Sequence, residues 1–322
     1  VTLLSLLFLS TAVFATVKYV FRAPELDTDK PVVTPDGTAS TDVDRTDTDE
    51  PDAPGRTRRE YCYNILVSGL DDDNGGSDTN ILVRFDVPNK RIDLVSLPRD
   101  TLLHNEYRNN KLNFAYAKGG TELLMEQIEN LLGVPVDFYV TVNLKGFIAL
   151  VDQIDGVDFD IPINMDYDDP YQDLHIHFTK GPRHLNGQEA MEVVRFRHNN
   201  DGTGYGTEDI GRIGTQQAFL KAVAKQLLQI GNVKNIPALV DIFYTYVKTD
   251  LTTGNLVWLG NEALNIGTEN IHFATLPGDG SGYYNKQSVY VLDAQATCDL
   301  VNEALNPYNE ALTLEDMDIL VP

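Results

Sequence analysis

The sequence predicts an α/β domain in which a central β-sheet is covered by helices. Two observations carry this. Runs rich in β-branched and aromatic residues alternate with apolar patterns of helical period. The chain has 322 residues and is 42% hydrophobic, enough to build a substantial core.

The first three strands are "YCYNILVSG" (Tyr61 to Gly69), "TNILVRFDV" (Thr79 to Val87) and "KRIDLVSLP" (Lys90 to Pro98), with a hairpin-like turn at "VPNK". A helix follows in "TELLMEQIENLL" (Thr121 to Leu132), stopped by Gly133, then a strand "DFYVTVN" and a helix "LKGFIALVDQI". Further helices are expected in "NGQEAMEVVRF", from about Asp209 to Ile230, and onward through Val247. A strand "NIHFATLP" and a closing helix from Asp293 complete the order. No internal repeat is present.

Residues 1–21, "VTLLSLLFLSTAVFATVKYVF", carry Lys18 as their only charge and read as a membrane segment of the signal-anchor type. A cleaved signal peptide is the rival reading, with Val13-Phe14-Ala15 as its cleavage site. Residues 22–59 are rich in Asp, Thr and Pro, hold almost no large apolar side chains, and read as an acidic disordered tether. Residues 60–230 form the expected domain core, with 231–322 a helical and strand part packed on the same domain.

The 25 Lys plus Arg against 48 Asp plus Glu give a net charge of −23, which excludes non-specific nucleic-acid binding. Cys62 and Cys298 are too few for a cysteine zinc site and read as two buried thiols or one disulfide.

Against this acidic background, "VVRFRHNNDGTGYGTEDIGRIGTQQ" (Val193 to Gln217) gathers arginines around a glycine-rich loop. In an extended segment, Arg195 and Arg197 at i and i+2 leave on one side, a fork suited to phosphate oxygens. Pairing with nearby acids is the competing reading. Arg212 and Gln216 share a helix face near that helix's positive end. "SLPRD" ends the third strand with Arg99, and "GLDDDNGGSDTN" places Asp71 and Asp78 at strand ends, where α/β proteins build sites. "DLHIHF" puts His175 and His177 on one strand face; a metal pair is conceivable there, but without a third ligand the residues read as a strand-surface pair.

"NILVSGLDDDNGGSDTNILVRFDVPNKRIDLVSLPRDT", "KLNFAYAKGG", "GVDFDIPINMDYDDPYQDLHIHFTKGPRHLNGQEAMEVVRFRH" and "DIGRIGTQQAFLKAV" together resemble the LytR-CpsA-Psr family, in order and spacing. The resemblance covers roughly Tyr61 to Leu228. It implies a central mixed β-sheet with helices on both faces and an apolar cavity for a lipid. It also implies a membrane-anchored, extracytoplasmic, single-pass transferase of Gram-positive-type envelopes. Such an enzyme moves a glycopolymer from undecaprenyl pyrophosphate to a peptidoglycan hydroxyl, with Mg2+ (or Mn2+) as cofactor.

By position, the resemblance assigns the metal to Asp71 and Asp78, and the pyrophosphate to Arg99, Arg195, Arg197, Arg212 and Gln216. Asp71, Arg99 and Arg195 carry the catalytic roles, Asp71 as the candidate base for the acceptor hydroxyl. Gly76 and Thr215 stand where the family often has arginines, and Arg84 is a candidate substitute or a surface ion-pair residue. A non-catalytic envelope-binding protein and a lipid pyrophosphatase are the alternatives. The cavity is expected beside Arg99, Arg195 and Arg197, walled by the helices from Leu144 to Ile154 and Phe219 to Leu228.

Overall fold

The computed structural model describes residues 21–26, 56–70, 76–105, 107–171, 173–205, 208–229, 242 and 244–321, without the side chains of 208–210, 212–213 and 227–229. The expected membrane segment up to Val20 and most of the acidic tether lie outside the described residues, as does Asp71.

Six strands form the main sheet: β1 (Cys62–Leu70), β2 (Ser77–Asp86), β3 (Arg91–Leu97), β4 (Phe138–Asn143), β9 (Val247–Thr249) and β10 (Ile271–Thr275). Their order is β10-β3-β2-β1-β4-β9. The β1–β4 and β10–β3 pairs are parallel and the others antiparallel, so the sheet is mixed. β10, from the C-terminal part of the chain, therefore completes the same sheet.

Successive strand residues point to opposite faces, and both faces are covered. Leu66, Leu82 and Val95 pack under α1 (Leu112–Leu132) and α6 (Ala294–Ala304). Tyr63, Ile65, Phe85 and Ile92 pack against α5 (Thr253–Ile266) on the other side. α1 ends where the sequence places its stop, with Gly133 in the left-handed conformation at φ 64° and its N–H bonded to Glu129 O.

Beyond β4 stand α2 (Leu144–Gln153), the hairpin pairs β5 (Val157–Ile161) with β8 (Gly181–Leu185) and β6 (Met165–Asp169) with β7 (Leu174–Phe178), α3 (Gly187–Arg195) and α4 (Glu208–Gln229). They share a second core around Phe159, Phe196 and Phe219. The hairpin β11 (Gly278–Tyr284) and β12 (Gln287–Leu292) precedes α6.

Four expectations need correction. Residues 21–26, assigned mostly to the tether, dock on the domain: Tyr63 Oη donates to Pro24 O at 3.0 Å and Leu26 packs against the α5 core. Arg58 and Arg59 also belong to the fold, Arg59 N donating to Pro307 O at 2.9 Å. Val247 opens an edge strand paired with Val142 instead of ending a helix. α5 lies in a stretch with no expected element, started by a Thr252/Asn255 capping box. Cys62 and Cys298 are both buried free thiols, and burial raises the pKa of each.

Candidate active site

β1, β3 and β4 end on one side of the sheet, and a cavity of about 950 Å³ opens there. Its interior wall is apolar: Val67, Ile81, Phe114, Phe147, Phe219 and Leu220 line it. Phe219 is fully buried and meets Phe147 and Phe159 at ring-centroid distances of 5.9 and 5.4 Å. Leu144 and Phe147 of α2, and Phe219 and Leu220 of α4, are from the two helices the sequence nominates.

Charged groups collect on the same cavity. Arg99, Lys111, Arg195 and Arg197 line it with Asp78 and Asp100, four cations to two carboxylates among the described residues. Among the described residues this wall carries more positive than negative groups, in a chain whose net charge is −23.

Arg99 follows β3. Its turn is fixed by Thr101 N donating to Pro98 O (3.0 Å) and Asn113 N donating to Arg99 O (2.9 Å), which ties the strand end to the start of α1. Arg99 Nη1 donates to Asp78 Oδ1 at 2.7 Å, with side-chain exposures of 25% and 48%. Lys111 Nζ lies 3.0 Å from Asp100 Oδ1. Proposed metal ligand and proposed phosphate ligand are thus already in contact.

Arg195 and Arg197 reach the cavity by a different route from the one expected. The "VRFR" segment is not extended: Arg195 is the last residue of α3, which an Asn186/Glu189 capping box starts. Phe196, at φ −59° and ψ 133°, leaves the helix, is fully buried, and meets Tyr205 edge-on at 5.7 Å. That anchor turns the chain so that both flanking arginines line the cavity.

Gln216 also lines it, but its Nε2 donates to Val194 O at 3.1 Å. It therefore pins the end of α3 to α4, with one amide hydrogen left for a ligand. Arg212 is on α4, with its side chain outside the described atoms. Gly76 lines the cavity, and a Cβ there would meet only Asn113 O at 3.8 Å. Thr215 is buried and its Oγ1 donates to Gly211 O at 3.0 Å, so it serves the helix.

Arg84 is neither substitute nor surface residue. It is 5% exposed, donates to Asp93 Oδ2 at 2.7 Å, and is absent from the cavity lining. Lys111 and Asp100 were missed by sequence reasoning. A signal existed for Lys111, a cation at the N-cap of a helix, where the dipole disfavours positive charge.

His175 and His177 acquire carboxylate partners on β6. The hydrogen bond with Asp168 raises the His175 pKa, and that with Asp166 raises the His177 pKa. Asp168 is lowered, first by its bond with His175.

Residues 33–306 match the LytR_cpsA_psr family. The polyisoprenyl-teichoic acid–peptidoglycan teichoic acid transferase TagV of Bacillus subtilis is 32% identical over 248 residues, 73% of this chain and 61% of TagV. The transferase of that description called TagU in Bacillus cereus is 32% identical over 244 residues, 74% of this chain and 76% of TagU. This chain therefore spans less than two thirds of TagV. The crystal structure of B. subtilis TagV has a TM-score of 0.65 at 26% identity, covering 82% of this chain and 100% of that one. With the match running from within the tether through the mixed sheet to α6, the chain belongs to the LytR-CpsA-Psr family.

Proposed function

We propose that the protein transfers a glycopolymer from a polyprenyl-pyrophosphate carrier to a peptidoglycan hydroxyl, working at the outer face of the membrane that Val1–Phe21 would span. One observation carries the reading: a single cavity joins a partly buried apolar wall to a cluster of four cations. A prenyl diphosphate has that same division, an apolar chain ending in concentrated negative charge. The volume of about 950 Å³ lies within the usual range of ligand sites, roughly 300–1,000 Å³. The names of the TagV and TagU relatives support a teichoic-acid-like polymer as cargo.

In the transfer, the acceptor hydroxyl oxygen attacks the phosphorus that bears the sugar. A new P–O bond forms as the bond to the bridging oxygen breaks, and prenyl phosphate leaves with the electron pair. Arg99, Arg195 and Arg197, with Arg212 and Gln216, orient the diphosphate and neutralise the charge that grows on the leaving phosphate. Asp71 is the candidate acceptor of the hydroxyl proton.

Asp78 fits a Mg2+ ligand. It is a half-exposed carboxylate on the cavity, and its one contact with Arg99 leaves lone pairs unused. Mg2+ favours few carboxylates combined with phosphate oxygens. Bound there with Asp71, Mg2+ or Mn2+ would supply charge neutralisation on the phosphates.

The test is transfer of labelled glycopolymer from a lipid donor to peptidoglycan fragments, with and without Mg2+. Metal-dependent product in the wild type, abolished in Asp78→Ala and Asp71→Ala with the fold intact, is the expected outcome. Gly76 and the helix-bonded Thr215, in place of arginines, favour a second reading as a non-catalytic lipid-phosphate binder. Donor binding without product would establish it, and release of free glycopolymer phosphate would indicate a pyrophosphatase.

A further inference from the structure

The β6–β7 hairpin carries a cluster of metal-ligating side chains that the transfer does not use. Its register pairs Asp166 with His177 and Asp168 with His175. Directly opposed residues share a face. On one face Met165, Leu174, Ile176 and Phe178 are buried, and on the other Asp166, Asp168, His175 and His177 stand exposed. Two imidazoles at i and i+2 thus oppose two carboxylates at i and i+2.

The contacts are close. His175 Nδ1 lies 2.5 Å from Asp168 Oδ1, and His177 Nε2 lies 3.4 Å from that same oxygen. His177 Nδ1 lies 2.8 Å from Asp166 Oδ1. Ligand atoms of Asp168, His175 and His177 fall within 4.8 Å of one another. A tetrahedral ion with bonds of about 2.0–2.1 Å holds its ligands roughly 3.4 Å apart, so small side-chain rotations would close the set.

We propose that Asp168, His175 and His177 bind a divalent d-block cation of the zinc type on the outer face of this hairpin. Asp166 then serves as the outer carboxylate that orients the His177 ring through Nδ1, the arrangement common for metal-bound imidazoles. Two imidazoles with one carboxylate select zinc, copper or nickel over Mg2+ and Ca2+, which want oxygen ligands. The chain's net charge of −23 also concentrates cations at its surface.

Occupancy would brace the arginine-bearing segment of the cavity. Asp166 N donates to Asn199 Oδ1 at 2.7 Å, and Asp168 N donates to Asn200 Oδ1 at 2.6 Å. Asn200 N donates to Asp166 O at 3.1 Å. Tyr167, between the two carboxylates, lines the cavity and meets His198 edge-on at 5.7 Å. The metal would therefore fix the strand to which the chain just after Arg197 is bonded. A solvated cross-strand ladder of ion pairs, with no ligand, is the competing account.

Isothermal titration of the full chain with zinc chloride, repeated in excess magnesium chloride, separates the two. The expected result is one saturable zinc site that magnesium does not compete away and that raises the unfolding temperature. His175→Gln with His177→Gln should abolish it, and Asp166→Asn should weaken it about 10–100-fold. His184→Gln is the control for adventitious imidazole binding, since His184 forms a similar exposed pair with Asp158 at 2.8 Å but has no third ligand among the described residues. It should leave stoichiometry and affinity unchanged. No saturable zinc binding in the wild type, equal binding in the His175/His177 double variant, or an equal loss in His184→Gln would overturn the proposal.

Discussion

Arg84–Asp93 and Arg99–Asp78 are both ion pairs of 2.7 Å, built from neighbouring strands of one sheet. Their surroundings are opposite. The first pair is 5% and 2% exposed, and Asp93 also accepts from Arg91 Nε at 2.8 Å. The second is 25% and 48% exposed and borders a cavity. Once buried, a charge cannot recover its hydration if its partner is lost, so the Arg84 pair is locked into the fold. The Arg99 pair is partly exposed, so it is weaker and open to exchange of partners when a diphosphate or a cation arrives. Identical distance therefore says nothing about role, whereas burial and the adjoining cavity do.

Breaking each side in turn should give effects of different kinds. The largest effect on stability is expected from Arg84→Ala, which leaves Asp93 buried beside a single remaining partner. A loss of about 3–5 kcal/mol is expected from the behaviour of broken buried pairs, read by urea unfolding. Arg195→Ala and Arg197→Ala should each leave unfolding nearly unchanged but weaken prenyl-pyrophosphate binding by about 1.5–3 kcal/mol, the worth of one charge-assisted contact. Gly76→Arg sharpens the comparison in the other direction. Space for its Cβ exists, so the added guanidinium should tighten binding by up to that same amount, measured by calorimetry. Arg99→Ala should cost the fold no more than about 1 kcal/mol, far less than Arg84→Ala, although it lies in the site.

The strands at the centre of the sheet were legible because they are buried on both faces and read as near-continuous apolar runs; "NILV" and "ILVRF" leave little choice. α1 was half legible. Its first turns, Leu112 to Lys118, are cut from the rest by Gly119 and by Gly120 at φ 68°, which breaks the apolar period. β9 could not be read, since three residues at an edge become a strand only through pairing with β4. α5 was passed over although Thr252 and Asn255 mark its start, because glycines at 254 and 260 lower its helical signal.

The site shows the same division. Arg99, Arg195 and Arg197 stand out in an acidic chain by type and spacing, and Asp78 by its position at a strand end. The helical course of Val193 to Arg195 was not legible, because "VVRF" suits strand and helix alike until a capping box seven residues upstream of Val193 decides it. Lys111 and Asp100 become neighbours only when the end of β3 meets the start of α1, a contact with no local signature. Third ligands for His175 and His177 were hidden for a like reason: Asp168 is seven residues from His175, and only the hairpin register sets them side by side.

The claim that the cavity's arginines exist for a pyrophosphate is tested most directly by thermal unfolding with and without a short prenyl pyrophosphate, in the wild type and in Arg195→Ala/Arg197→Ala. Ligand stabilisation that is clear in the wild type and largely lost in the double variant, with ligand-free unfolding temperatures alike, is the predicted result. Equal stabilisation of both proteins would contradict it and return the two arginines to a structural role.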